Sequence, residues 1–153
     1  MVPYDRNKAR AELFSAFSAM FSDPSILASS TMHLETLHKL ADTLPIPLKP
    51  TKSQLSTPHY YAIDMLASPS LRDRLLNVST EVAQSFLGEF GGWGREVEDM
   101  GQIVIWGEDP FNEMAWEFSQ RVLERWSWFL GPEWTLRANF WRRQRGAPLL
   151  PEW

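Results

Sequence analysis

The chain contains no cysteine. That removes disulfide staples, a thiol nucleophile and zinc–thiolate sites from the possible chemistry. It also lacks any excess of positive charge. Fifteen Lys and Arg stand against nineteen Asp and Glu, a formal net charge of −4, which argues against broad nucleic-acid binding. No apolar run approaches the roughly 20 residues of a membrane span, and the first residues carry no signal-type apolar core. Internal repeats and low-complexity tracts are absent. The expected location is intracellular: cytoplasmic, or nuclear if the protein is regulatory.

What the chain does have is aromatic surface. Eight Trp, nine Phe and three Tyr make up 13% of its 153 residues, within a hydrophobic content of 44%. That content is globular, and the length fits a single domain, 1–153, with a full core. Residues 1–30 read as an N-terminal helical extension. Rigid flat side chains pack well, and they also make good walls for an apolar ligand.

The heaviest stretch is 101–131. A short apolar run, Ile103 to Trp106, ends at Gly107. Asp109 and Pro110 stand where a helix N-cap and first helical residue would stand. Phe111, Ala115, Phe118, Val122, Trp126 and Phe129 then follow in steps of three and four, which predicts a helix from near Pro110 to Leu130. Trp116, Leu123 and Leu130 widen its apolar arc, so this helix should be central. Gly131-Pro132 stops it.

Other helices are expected over Pro3–Phe21, after Ser22-Asp23-Pro24 to Leu44, from Ser68-Pro69 to Leu87, and over Pro132–Arg145. The predicted fold is therefore all-α, with about five helices around a central aromatic-rich helix and long irregular connectors. Pro45 to Pro50 should be an extended connector, because proline removes a donor and restricts its predecessor. Gly88 to Gly94 reads as a flexible link. Its neighbours are acidic and a helix precedes it, so it does not read as a phosphate loop. The arginines at the end of the last helix, Arg137, Arg142, Arg143 and Arg145, suit the helix dipole. Their other reading is a site for an anion or acidic partner, with Trp–Arg stacking.

One polar cluster stands out. His59, Tyr60, Tyr61 and Asp64 bring four groups capable of hydrogen bonding or proton transfer into six residues. The plain structural alternative is a short turn whose aromatics anchor the connector. His33 and His38 flank the stripe of the second helix, and spacing alone gives them no metal-binding partner.

Pro47, Gln54, Pro58-His59, Ile63-Asp64, Pro69 and Leu71-Arg72 resemble the first half of a domain of unknown function from fungal bZIP-type regulators. Ile103 to Gly107, Asp109-Pro110, Trp116-Glu117, Trp126 and the ending Asn139 to Gly146 are similar to its second half. The resemblance spans residues 30–150 and implies no catalytic residues. The regulators carry a basic region and leucine heptads before this domain; here the upstream residues contain neither, so the expectation is a domain without its DNA-reading part. The early turn also departs from the family's His-His-Pro-Trp pattern, since this chain has His59-Tyr60-Tyr61-Ala62.

Two functions follow as expectations. The first is a stand-alone binder of a hydrophobic small molecule, in enzymatic form a cofactor-free, pericyclase-like cyclase or isomerase of fungal specialised metabolism acting by shape and hydrogen bonding. The second is a regulatory or protein-interaction domain derived from a fungal bZIP factor. The first places a pocket between the central helix and the connector, with His59, Tyr60, Tyr61 and Asp64 as catalytic residues. Trp106, Phe111, Trp116 and Phe118 are its ligand-binding walls. Neither a cofactor nor a metal is expected. The expected partner is a hydrophobic small molecule, without specific DNA binding by this chain; a homo-oligomer or protein partner is left open.

Overall fold

The computed structural model describes residues 2–90 and 103–151, with the side chain of Phe90 left aside. The expected link at Gly88 to Gly94 is corrected in its first part, since Gly88 and Glu89 belong to the helix that runs to Phe90; its remainder, 91–94, and the acidic residues to 99 lie outside the described residues. Eight α-helices are present among the described residues: α1 (Arg6–Ala16), α2 (Pro24–Ala28), α3 (Ser30–Leu40), α4 (Lys52–Ser56), α5 (Pro69–Leu76), α6 (Thr80–Phe90), α7 (Gln120–Leu130) and α8 (Pro132–Gln144). The only strands described are β1 (Ile103–Ile105) and β2 (Trp116–Phe118), paired antiparallel. The fold is mainly α.

Small polar residues set most helix starts. Asp5, Asp23, Ser29, Thr51, Ser68 and Ser119 each accept a backbone N–H of the first turn that would otherwise lack a partner. Two of the expected long helices are divided by such caps. Ser29 separates α2 from α3, and Ser79 accepts the N–H of Val82 as α6 begins after α5. The proline-rich connector includes a short 3-10 turn, Ile46–Leu48, which buries Leu48.

The expectation of a helix starting near Pro110 is corrected. Asp109 accepts the Phe111 N–H at 2.9 Å, and Asn112 accepts that of Met114 at 3.1 Å, so both side chains close turns instead of opening an α-helix. Trp116, Glu117 and Phe118 form β2, and the helix begins only at Gln120. The cause lies in β1, whose short apolar run needs a hydrogen-bonding neighbour. β2 supplies it, in the register Ile103↔Phe118 and Ile105↔Trp116. On the other side of β1, the Tyr4 N–H donates to the Ile105 carbonyl at 2.7 Å, and Pro3 bridges to Trp106.

α7 keeps the central place expected for it. Val122, Leu123, Trp126, Phe129 and Leu130 are buried. Phe86 of α6 meets Phe129, Trp126 and Phe118 edge-on at 5.1, 5.6 and 6.2 Å, while Trp134 of α8 stacks on Phe118 at 4.5 Å. Edge-to-face and offset stacks of this kind add to area burial.

α7 turns into α8 through Gly131, whose φ of +83° and ψ of 160° suit glycine alone. A Cβ there would sit 2.5 Å from Glu133 Oε2 and 2.8 Å from Arg74 Nη2. Gly131→Ala is therefore expected to destabilise by about 1–3 kcal/mol, read as a lower urea midpoint. An unchanged midpoint contradicts this account of the turn.

Candidate functional site

The connector after α3 becomes ordered through one buried carboxylate. The capping box of α4 fixes Gln54: Thr51 Oγ1 accepts the Gln54 N–H, and Gln54 Oε1 accepts the Thr51 N–H at 2.9 Å. Gln54 Nε2 then donates to Asp64 Oδ1 at 2.9 Å. His59 Nε2 lies 2.5 Å from the same oxygen, and His33 Nε2 lies 2.7 Å from Oδ2. The side chains of Gln54, His59, His33 and Asp64 are shielded from solvent, Asp64 being 1% exposed.

Partner chemistry assigns the protons. His59 Nδ1 faces the Thr57 carbonyl at 2.6 Å, and a carbonyl only accepts. Its Nε2 faces a carboxylate, which when ionised also only accepts. His59 therefore carries both ring protons, as an imidazolium. Burial opposes that charge, but the hydrogen bond and charge of Asp64 and the Thr57 carbonyl outweigh it and raise the pKa. Burial likewise opposes ionisation of Asp64; donors His33, His59 and Gln54 reverse the effect and hold its pKa below the ordinary 3.8.

Arg72 stands behind this cluster, fully buried. Its Nε donates to Gln54 Oε1 at 2.7 Å, its Nη1 to the carbonyls of Pro47 (2.9 Å) and Leu66, and its Nη2 to that of Lys49 (2.6 Å). Burial pulls its pKa down to about 10, so it remains charged at neutral pH. One guanidinium thus serves three carbonyls of the chain between Pro47 and Leu66.

His33, His59 and Asp64 also offer ligand atoms within 4.8 Å of one another, a donor set suited to a zinc-like ion. Their contacts of 2.5 and 2.7 Å are those of shared protons. Atoms that each bind one ion at about 2.0–2.1 Å sit about 3 Å or more apart, so an ion would require this group to open.

The remaining residues singled out from sequence fall into three environments. Tyr60 and Tyr61 meet edge-on at 5.1 Å, and Tyr61 also packs on Phe21 at 5.9 Å. Trp116 and Phe118 are buried in the core, and Phe111 packs half-buried against it. Of the four expected walls, Trp106 lines a cleft.

That cleft, about 800 Å³ in volume, opens between the loop after β1 and α8. Its apolar lining is Trp106, Met114, Ala115, Leu136, Phe140 and Trp141. Met114, Leu136 and Phe140 are exposed. The indoles of Trp106 and Trp141 stack at 6.1 Å with 26° between planes. Glu108, Asp109, Asn112, Glu133 and Arg137 supply polar lining, whereas His59, Tyr60, Tyr61 and Asp64 do not contribute to it. Sequence reading missed Leu136, Phe140 and Trp141. Their signal was available in α8, where Leu136 and Phe140 lie four apart, away from the buried Trp134 and Ala138.

Two of the terminal arginines, Arg142 and Arg145, find their anion inside the protein. Glu117, 3% exposed, receives Trp106 Nε1 at 3.1 Å on Oε1 and Arg145 Nη2 at 2.6 Å on Oε2, with Arg142 Nε at 3.9 Å. Burial raises its pKa, and Trp106 and the two arginines offset part of that rise.

A family model described as Domain of unknown function (DUF3425) matches residues 28–143. The chain belongs to that family. The matched span holds the whole His33–His59–Asp64–Arg72 cluster and the cleft lining, and leaves α1 outside. No curated protein and no solved structure matches the chain. No described helix is long and apolar enough to cross a membrane.

Proposed function

We propose that this protein binds a hydrophobic small molecule in the cleft between the loop after β1 and α8. The observation that carries the reading is the cleft itself: about 800 Å³, walled by the stacked Trp106 and Trp141 with Leu136, Phe140 and Met114 at its edge. Its volume is in the usual range for ligand pockets. In its enzymatic form, the reading is a cyclase or isomerase in which aromatic walls hold a flexible substrate near its reactive geometry.

The His33–Asp64–His59 group enters this reading as structure. Both ring nitrogens of His59 have protein partners, and Asp64 receives three donors. Such a closed network rigidifies the connector.

A second reading rests on the same exposed apolar edge. Resemblance to the domain of fungal bZIP-type regulators favours a regulatory role, with Leu136, Phe140 and Met114 receiving a protein partner.

The test is binding of an apolar reporter dye, such as Nile red, to the folded protein. Leu136→Glu lies on an exposed position, so folding should be retained within about 0.5 kcal/mol while dye affinity falls at least several-fold. Undiminished affinity in a folded Leu136→Glu protein places the dye elsewhere and refutes the cleft reading.

A further inference from the structure

We propose that the cleft's ligand is an apolar molecule carrying a protonated amine. This rests on the cleft being the binding site and adds the ligand's charge class. Two features of the lining, and the charges next to it, support it.

The indole donors of the cleft wall are already engaged. Trp106 Nε1 donates to Glu117 at 3.1 Å, and Trp141 Nε1 to the Met114 carbonyl at 3.0 Å. Trp106 is 4% exposed and stacks on Trp141, so the aromatic surface left for a ligand is mainly that of the half-buried Trp141, a favourable neighbour for an organic cation. An acceptor group on a ligand gains no hydrogen bond from either indole.

The charged lining has the matching sign. Glu108, Asp109 and Glu133 are carboxylates, against the single cation Arg137. Arg137 is largely engaged: its Nη1 lies 3.3 Å from both the carbonyl and the carboxylate of Glu113, and its guanidinium lies 4.4 Å from the centre of the Trp134 ring. Its Nε is buried without a partner, so Arg137 keeps donor capacity, but its charge is already balanced by the Glu113 carboxylate. Glu133 is shared with Arg74 at 3.2 Å. Glu108 and Asp109, both exposed, form no ion pair among the described residues.

Beside the rim, Glu12 and Asp5 act on Tyr4 together with the rim's Asp109. Tyr4 donates to Glu12 at 2.6 Å. Its pKa is pushed up to about 12, first by that hydrogen bond, then by burial and the charges of Glu12, Asp109 and Asp5. Lys8 lies over the Tyr4 ring at 5.5 Å and screens part of this field.

The experiment compares three probes with one apolar body: 1-naphthylmethylamine, 1-naphthalenemethanol and 1-naphthoate, titrated calorimetrically at pH 7. The amine is expected to bind about tenfold more tightly than the alcohol, with the carboxylate weakest. Added salt should narrow the gap. In Glu108→Gln/Asp109→Asn, which preserves shape and the acceptor for Phe111 N–H, the amine-to-alcohol ratio should fall toward one. Equal binding of amine and alcohol, preference for the carboxylate, or a preference that survives the double substitution overturns the amine assignment. If the alcohol still binds and Leu136→Glu abolishes it, the cleft reading stands without it. Absence of binding by all three overturns both.

Discussion

Replacing Arg72 with alanine is expected to remove about 3–5 kcal/mol of stability, much of what a domain of this size normally has. Arg72 is fully buried and donates to the carbonyls of Pro47, Lys49 and Leu66 and to Gln54. Truncation leaves these acceptors buried with fewer donors, at about 1–3 kcal/mol for each one left unsatisfied. The range is held below their sum because relaxation admits water. Arg72→Lys should recover only part, since one ammonium cannot reach all four acceptors in the guanidinium's planar geometry. Urea denaturation checks this. A loss below about 1 kcal/mol for Arg72→Ala would show that the connector does not depend on the guanidinium.

The second large effect is pH-dependent. Asp64→Asn preserves shape but removes the charge that His59, His33 and Gln54 all address. A cost of about 2–3 kcal/mol at pH 6 follows from losing charge-assisted hydrogen bonds. Linkage then fixes the sign. The raised pKa of His59 gives stability that is fully present below its unfolded value of about 6.5 and is lost as pH rises through the higher folded value. The lowered pKa of Asp64 gives stability present above its unfolded value of about 3.9, lost as pH falls through the lower folded value. The cluster should thus support the fold most fully between about pH 4 and 6.5. Wild type should lose stability above that window, and Asp64→Asn should lose less of it over the same pH rise. Parallel pH profiles for the two proteins would contradict the imidazolium assignment.

The sequence shows some of these features more clearly than others. Caps and prolines are local, so Ser68-Pro69 and Gly131-Pro132 mark α5 and the α7–α8 junction correctly. The central role of Trp126 and Phe129 follows from their three-and-four spacing, which is local too. β2 was hidden because Phe111, Ala115 and Phe118 extend that spacing backwards, and a short apolar run fits strand or helix equally. The deciding fact, that Ile103–Ile105 takes Trp116–Phe118 as its neighbour, is tertiary. Ser119 was a readable clue, since it caps α7 through the Val122 N–H.

The polar cluster divides in the same way. His59 and Asp64 are five apart and could be paired on paper. His33 is 31 residues from Asp64, and no spacing rule reaches that far. The arginines at the end of α8 were read against a helix dipole or an outside anion, while Glu117 lies 28 residues back from Arg145. Buried charge partners are found by the fold, not by the period of a helix.

The hydrogen bond from Tyr4 to Ile105 also bears on how the chain is made. About a hundred residues separate the two, so the segment leading into α1 leaves the ribosome long before its neighbour exists. At about 5–20 residues per second, it waits about 5–20 seconds before β1 can receive it. During that interval α1 has its Asp5 cap, but the partners of Pro3 and Tyr4 are still unsynthesised. Docking of the N-terminal segment onto β1 is therefore a late event in biosynthesis, and factors that bind nascent chains meet the apolar side of α1, with Leu13 and, just past its end, Phe17, before the sheet can cover the segment that precedes it.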